Sequence, residues 1–415
     1  MTFQWNRITV LLLGVWLTGC TPSTLKVTVT NPTNMERNNE IVEIDIASLS
    51  KLPAVASKQF IITDTDGKQI PYQITYDNKV IFPADVTANG TSTYTIIQGI
   101  PDSIRTIACG KIYPERLDDV AWENDKAAYR AYGPALQANG ERSFGYDVFT
   151  KRETKYPVVA ERYALETSKE LRAKIKEYIK AGQKEQADSL SLRISYHIDH
   201  GNGMDDYSVG PTLGCGTTAL MNDTTIIYPW AYKTCKILDN GPLRFTMELT
   251  YNPLKLKNDS NIIETRLLSC DEGSYLNKTT VTYSNLSTPT QVAVGLVIHQ
   301  QNPKEYFYNI QRGYIAYADS TEHPDRNQGV IFVGASFPQP MAAVGVQMYN
   351  EKERAEHANA LGHVLGLTDY NPNDSFTYYW GSGWSKGDMP SMNNWVSYLE
   401  NFTFKAQNPL KVEIK

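Results

Sequence analysis

The sequence predicts a mostly β fold: a small N-terminal β-sandwich, then a large antiparallel sandwich with one inserted helix. Three observations carry this. Short runs alternating apolar and polar residues recur along the chain, as in strands that bury one face. Asp66-Gly67 and Asn89-Gly90 punctuate the first of these runs, and such pairs favour tight hairpin turns. Beyond residue 100 the runs continue with a single helical pattern among them, whereas a parallel α/β sheet needs a helix after almost every strand.

The chain of 415 residues opens on a segment that precedes the fold. Arg7 supplies a positive charge, residues 8–17 an apolar run too short to span a bilayer, and Leu17-Thr18-Gly19-Cys20 has the form of a bacterial lipobox. Residues 1–19 are therefore expected to be a cleaved lipoprotein signal peptide, with Cys20 acylated as the first mature residue. Two or more acyl chains give stable anchoring. Thr21 and Pro22 follow, with no aspartate to retain the protein in the inner membrane and no acidic run of the kind that marks surface export. The expected place is the outer membrane, facing the periplasm.

Residues 20–100 read as the N-terminal sandwich, with strands near 25–30, 41–46, 60–63 and 94–97 and a boundary at Gly99-Ile100-Pro101. Residues 101–415 form the second domain. Its helix is signalled by a Thr167-x-x-Glu170 capping box, an apolar stripe of Leu171, Ile175, Tyr178 and Ile179, and a stop at Gly182. Strands are predicted near 244–249, 262–268, 279–283, 292–299, 313–318, 330–333 and, last, 410–414.

A formal net charge of -5 with no Lys/Arg block argues against nucleic acid, because phosphate neutralisation needs clustered cations. The chain contains no P-loop, dinucleotide fingerprint, Gly-x-Ser-x-Gly elbow or His-Glu-x-x-His, so nucleotide, α/β-hydrolase and zincin chemistry are not expected. Cys109, Cys215, Cys235 and Cys270 fit no zinc spacing and read as buried singletons or at most one disulfide. The 26 Tyr and 7 Trp offer apolar faces with polar edges, which suit sugar rings and also suit strands.

The densest polar cluster is residues 196–216, with His197, Asp199, His200, Asp205 and Asp206 among five glycines. His197, Asp199 and His200 are candidate ligands for a divalent metal, or one histidine is a general base oriented by Asp205 or Asp206. The alternative is a turn-rich loop satisfied by its own side chains. In residues 122–136, strand alternation places Arg130 and Tyr132 on one face, where they suit a carboxylate ligand unless Glu123 or Asp125 pairs with the arginine. His299 ends an apolar strand, His363 adjoins a loop, and Trp380, Trp384 and Lys386 cluster around two glycines as a candidate sugar platform.

Several segments together resemble the uncharacterised domain family numbered 4861, common in lipoproteins of Bacteroidetes polysaccharide-utilisation loci. They are AWEND at 121–125, RAYGPAL at 130–136, DHGNGMD at 199–205, VGPTLGCG at 209–216, GPLR at 241–244 and GWSK at 383–386. DGKQIPYQ at 66–73 resembles small sandwiches fused to exported carbohydrate enzymes. The resemblance implies a supersandwich like that of galactose mutarotases, a setting in glycan processing and, from neighbouring uronyl hydrolases, acidic sugars. It assigns no catalytic residues.

The expected activity is therefore on a uronate-containing oligosaccharide, foremost as a lyase removing the proton α to the carboxylate. Arg130 would neutralise that carboxylate, His200 take the proton, and Tyr132 or His299 protonate the leaving oxygen. A hydrolase would use Glu123 with Asp205 or Asp206, and an epimerase or mutarotase needs only an acid and a base. His363, Trp380, Trp384 and Lys386 are further candidate substrate contacts; a non-catalytic glycan binder would keep Trp380, Trp384 and the Tyr-rich surface. No cofactor beyond the possible metal is expected, and no partner beyond an acidic oligosaccharide and the membrane holding the lipid.

Overall fold

The computed structural model describes residues 24–152, 154, 156–320 and 323–415. The expected signal peptide and Cys20 lie outside the described residues. The fold is mostly β, built as a small sandwich against a large one. In the small sandwich a five-stranded sheet runs Lys411–Ile414, Thr24–Thr30, Thr91–Gln98, Phe60–Thr63, Gln69–Ile70, and faces a three-stranded sheet of Arg37–Asp45, Lys79–Val86 and Gln73–Ile74. Alternation puts Val27, Val29, Phe60, Ile62, Phe82 and Ile96 in its core.

The last strand corrects the domain assignment. Sequence order placed residues 410–414 in the second domain, but Lys411–Ile414 pairs antiparallel with Thr24–Thr30 and packs Val412 and Ile414 on the first core. The chain's end thus closes the domain its beginning opened.

The large sandwich has a nine-stranded sheet ordered Tyr232–Asn240, Arg244–Tyr251, Asp259–Asp271, Leu276–Ser284, Phe376–Trp384, Val330–Ser336, Tyr314–Ser320, Tyr306–Asn309, with the short Leu254–Leu256 on Asp259–Asp271. It packs against two five-stranded sheets linked by a bridge between Tyr146 and Gly214. One runs Gly203–Asp205, Asp147–Lys151, Ala128–Ala131, Asp119–Glu123, Cys109–Tyr113; the other runs Thr225–Ile227, Cys215–Asn222, Thr290–Ile298, Gly362–Tyr370, Ala343–Met348. Between the layers Trp380 lies flat on Tyr146, ring centroids 4.0 Å apart, and meets Trp122 edge-on. All four described cysteines are free.

The helical insertion is larger than expected. Three consecutive helices, Val159–Glu166, Lys169–Lys180 and Lys184–Ile194, stand where one was predicted. The cap of the middle one is Ser168, which accepts from the Leu171 amide, while Thr167 bonds back to the Tyr163 carbonyl and ends the preceding helix. Gly182 stops the middle helix at φ +71°. A further helix, Met392–Gln407, covers the outer face of the nine-stranded sheet through Trp395 and Leu399. It lies so close that a Cβ on Gly334 would meet Leu399 Cδ1 at 2.7 Å. Among the described residues no helix is long and apolar enough to cross a membrane.

Candidate active site

The strand pair Ala128–Ala131 and Asp147–Lys151 holds Arg130 opposite Asp147, on the face turned toward the helical insertion. Arg130 Nε donates to Asp147 Oδ2 at 2.9 Å, as does one terminal nitrogen; the other lies 3.0 Å from Asp205 and 3.3 Å from the Tyr163 hydroxyl. Asp119 stands 3.9 Å from Nε. The guanidinium is fully engaged by the protein's own carboxylates. Arg130 therefore cannot also clamp a substrate carboxylate, which corrects its expected role. Tyr132 donates its proton to Asp147 Oδ2 at 2.7 Å, and burial with that carboxylate raises its pKa well above the ordinary value; the hydroxyl is committed to this internal contact and does not face a leaving oxygen.

Burial raises both remaining carboxyls of this row, against the pull of Arg130. Asp119 reaches about 7, with Asp147 and Asp205 adding to the effect. Asp205 moves in the same direction for the same reason. Asp205 is 3% exposed and committed to Arg130, which leaves it unsuited to act on a glycosidic bond. Glu123 is equally committed: it accepts from the Val158 and Val159 amides at the start of a helix and from Lys151 at 2.8 Å, all buried. A carboxylate so held is a structural cap, which removes the pair the hydrolase expectation needed.

The loop of residues 196–206 does not build a metal centre. His197 Nδ1 bonds to the Asp205 carbonyl at 2.7 Å, and Asp199 accepts from Gly201 and Gly203 and pairs with Arg152 at 3.1 Å. His200 is exposed, with Nε2 2.9 Å from the Ser195 carbonyl. No group of three potential ligands converges among the described residues. His200 also fails as the expected base, because its imidazole faces a backbone carbonyl at the surface.

His363 and the tryptophans are core residues. His363 accepts the Leu213 amide at Nε2 and meets Tyr349 through Nδ1, both at 3.0 Å. Burial, with His357 and His299 nearby, brings its pKa down to about 3, so it stays neutral and shapes the loop before Cys215–Asn222. Trp380 is fully buried and donates to Thr279; Trp384 is 3% exposed and donates to the Gln328 carbonyl. Neither offers a face to a sugar. Lys386 does reach the surface, where it donates to the Asn327 carbonyl.

His299 is the sequence-predicted histidine that has a carboxylate partner. It follows Thr290–Ile298, and its ring reaches Asp319 at the end of Tyr314–Ser320, Nδ1 to Oδ2 2.7 Å. Tyr317 Oη accepts the His299 backbone amide at 3.0 Å. The Tyr207 ring stands edge-on to the imidazole, centroids 6.3 Å apart. Tyr207 is 4% exposed and its hydroxyl has no hydrogen-bond partner among the described residues. Next to it, Asp206 accepts from the Gln328 side chain. A carboxylate at Nδ1 favours the proton on that nitrogen, the orientation a histidine base takes from such a partner. Of these groups His299 stood out in sequence as an acid and Asp206 as an orienting or hydrolytic carboxylate. Asp319 carried a signal in its place at a strand end, and Tyr207 in its place after the Asp205-Asp206 pair.

A family model described as "Domain of unknown function (DUF4861)" matches residues 29–412. A protein of Formosa agariphila described as "Uncharacterized protein P7" is 25% identical over 415 residues, covering 94% of this chain and 93% of that one. Two Enterococcus faecalis structures, a glycosyl hydrolase family 38 protein and an alpha-mannosidase, match 95% of this chain at 8% identity with TM-scores of 0.44 and 0.41. The chain spans about half the length of each, 47% and 46%.

Proposed function

We propose, for a chain that belongs to the DUF4861 family, an activity that family does not yet carry: a lyase acting on uronate-containing oligosaccharides. The observation that supports it is the Asp319-oriented imidazole of His299 beside the buried, unpartnered hydroxyl of Tyr207. In this reaction Nε2 of His299 takes the proton α to the uronate carboxylate. The released electron pair forms the ring double bond, the glycosidic C–O bond breaks, and Tyr207 gives its proton to the departing oxygen. The proton on His299 then returns to the tyrosinate through solvent. The role first given to Arg130 passes to Lys386, whose ammonium lies by Asn327, next to the glutamine bonded to Asp206.

The lipobox at Leu17 to Cys20 supports a lipid anchor on the outer membrane, and its context a periplasmic orientation. Such a protein would meet imported oligosaccharides. The test is incubation with pectic and glucuronate-bearing oligosaccharides while following absorbance of the unsaturated uronate. A rise in that band that His299→Ala abolishes supports the lyase. New reducing ends without it overturn elimination in favour of hydrolysis, and no product overturns the enzyme reading in favour of a glycan binder.

A further inference from the structure

A cleft of about 680 Å³ lies where three elements meet: the strand Arg37–Asp45 of the small sandwich, the outer face of the nine-stranded sheet, and the helix Met392–Gln407. It is distinct from the His299 site. Alternation along Phe376–Trp384 turns Tyr378 and Trp380 into the sandwich and Tyr379 out to the cleft, whereas Tyr317 and His299 belong to the inner side. The nine-stranded sheet separates the two.

The walls are pinned in place. Gln73 of the small sandwich accepts the Leu243 and Arg244 amides and donates to the Arg244 carbonyl, behaving like one more strand residue at the edge. Arg244 pairs with both oxygens of Asp271 at 2.6 and 2.7 Å and with Glu43 at 2.6 Å. Arg37 joins Glu40 to the carbonyl of Asn408 at the end of the helix. A cavity of this size, preformed at a domain junction, has the dimensions of a small-ligand site.

Its chemistry differs from that of the His299 site. Burial raises the Glu43 carboxyl, but Arg244 and Lys79 outweigh it and bring it to about 2, so it does not exchange protons near neutrality. Carboxylates outnumber cations: Glu36, Glu40, Glu43, Asp271 and Glu272 stand against Arg244, Lys278 and Lys405. An anionic sugar would meet a like-charged surface. What the cleft does offer is the Tyr379 ring, set edge-on to Phe402 at 4.8 Å, and the side-chain amides of Asn38, Asn39 and Asn401. An aromatic face with groups that both donate and accept suits a ligand carrying apolar C–H faces and many hydroxyls.

We infer that this interdomain cleft is a second, non-catalytic saccharide site that takes neutral sugar units. The inference does not rest on the lyase activity. It gives the protein a hold on the uncharged part of a glycan while acidic residues are handled elsewhere, and a link between two such sites raises the effective concentration of the tethered chain.

Calorimetry on the full chain tests it, with neutral hexasaccharides of β-glucose, α-glucose, β-mannose, β-xylose and β-galactose as probes. At least one is expected to bind, and Asn401→Trp, at an exposed helix position lining the cleft, and Tyr379→Ala are each expected to weaken that binding at least tenfold. His299→Ala is expected to bind the same sugar unchanged, which separates failure of this site from failure of the lyase. Thermal unfolding checks that the variants are folded; Asn401→Trp leaves the core untouched, so it decides the matter if Tyr379→Ala does not fold. No binding by any probe, or undiminished binding in Asn401→Trp, overturns the inference, as does displacement of the neutral sugar by oligogalacturonate.

Discussion

Among single residues, His299, Asp319 and Tyr207 are the groups on which the proposed lyase depends, and Asp119 bears a pH dependence. A positioned acid or base contributes about 10² to 10⁴ in rate. His299→Ala and Tyr207→Phe are accordingly each expected to lower kcat by roughly 10²-fold or more. Tyr207→Phe should leave the melting temperature within a few degrees, whereas His299→Ala also strips the buried Asp319 of a partner and should lower it further; steady-state kinetics with circular dichroism read the two effects. Asp119 behaves differently, because its folded pKa of about 7 lies above the ordinary aspartate value of 3.8. The folded state then binds a proton that the unfolded chain has lost, so this contribution is complete below about pH 4 and disappears as pH rises through about 7. Wild type should lose more thermal stability between pH 5 and 8 than Asp119→Asn, and equal losses would remove the assignment. His299 was legible as a lone histidine ending an apolar strand. Its partner was not, since Asp319 reaches it only once Thr290–Ile298 and Tyr314–Ser320 have been laid in their sheets. Arg130 was misjudged for a related reason: a two-residue alternation shows its face but not the carboxylates that neighbouring strands bring to that face.

Among elements, the strands marked in the sequence lie within a few residues of those observed, whereas many of the 27 strands among the described residues, short or buried on both faces, carried no alternation to mark them. Helices were less legible. Met392–Gln407 buries only Trp395, Leu399 and Thr403, a stripe too narrow to stand out before the sheet beneath it is known. The insertion read as one helix because Lys169–Lys180 has the strongest amphipathic pattern, whereas the helix Val159–Glu166 depends on Glu123 from a distant strand for its first amides. Removing that cap leaves Lys151 buried without its partner carboxylate. Glu123→Ala should therefore cost about 3 to 5 kcal/mol in urea unfolding. The ordinary cap Ser168→Ala, on a helix with no buried residue, should cost about 1 kcal/mol. Similar costs for both would show that Glu123 has no special weight.

At the scale of the whole molecule, both ends of the chain meet in the small sandwich, after the large one has been built between them. Lys26 and Lys415 exchange backbone hydrogen bonds at 3.0 and 2.9 Å, and the Gln73 and Arg244 contacts hold the middle. Deleting residues 409–415 should uncover Thr24–Thr30 as an edge strand, lower the melting temperature and make residues 99–107 cleavable in limited proteolysis. An unchanged digestion pattern would show that the final strand is dispensable. The sequence by itself determined the β class, a part of the strands and the family, because alternation, turn chemistry and short motifs are local properties of the chain. Only the tertiary structure decided that the last strand returns to the first sandwich, that Arg130 and Glu123 are spent on internal carboxylate and cap contacts, and that His299 is oriented by Asp319. Each of those depends on which strands become neighbours, and neighbour choice is set by the packing of whole sheets against one another.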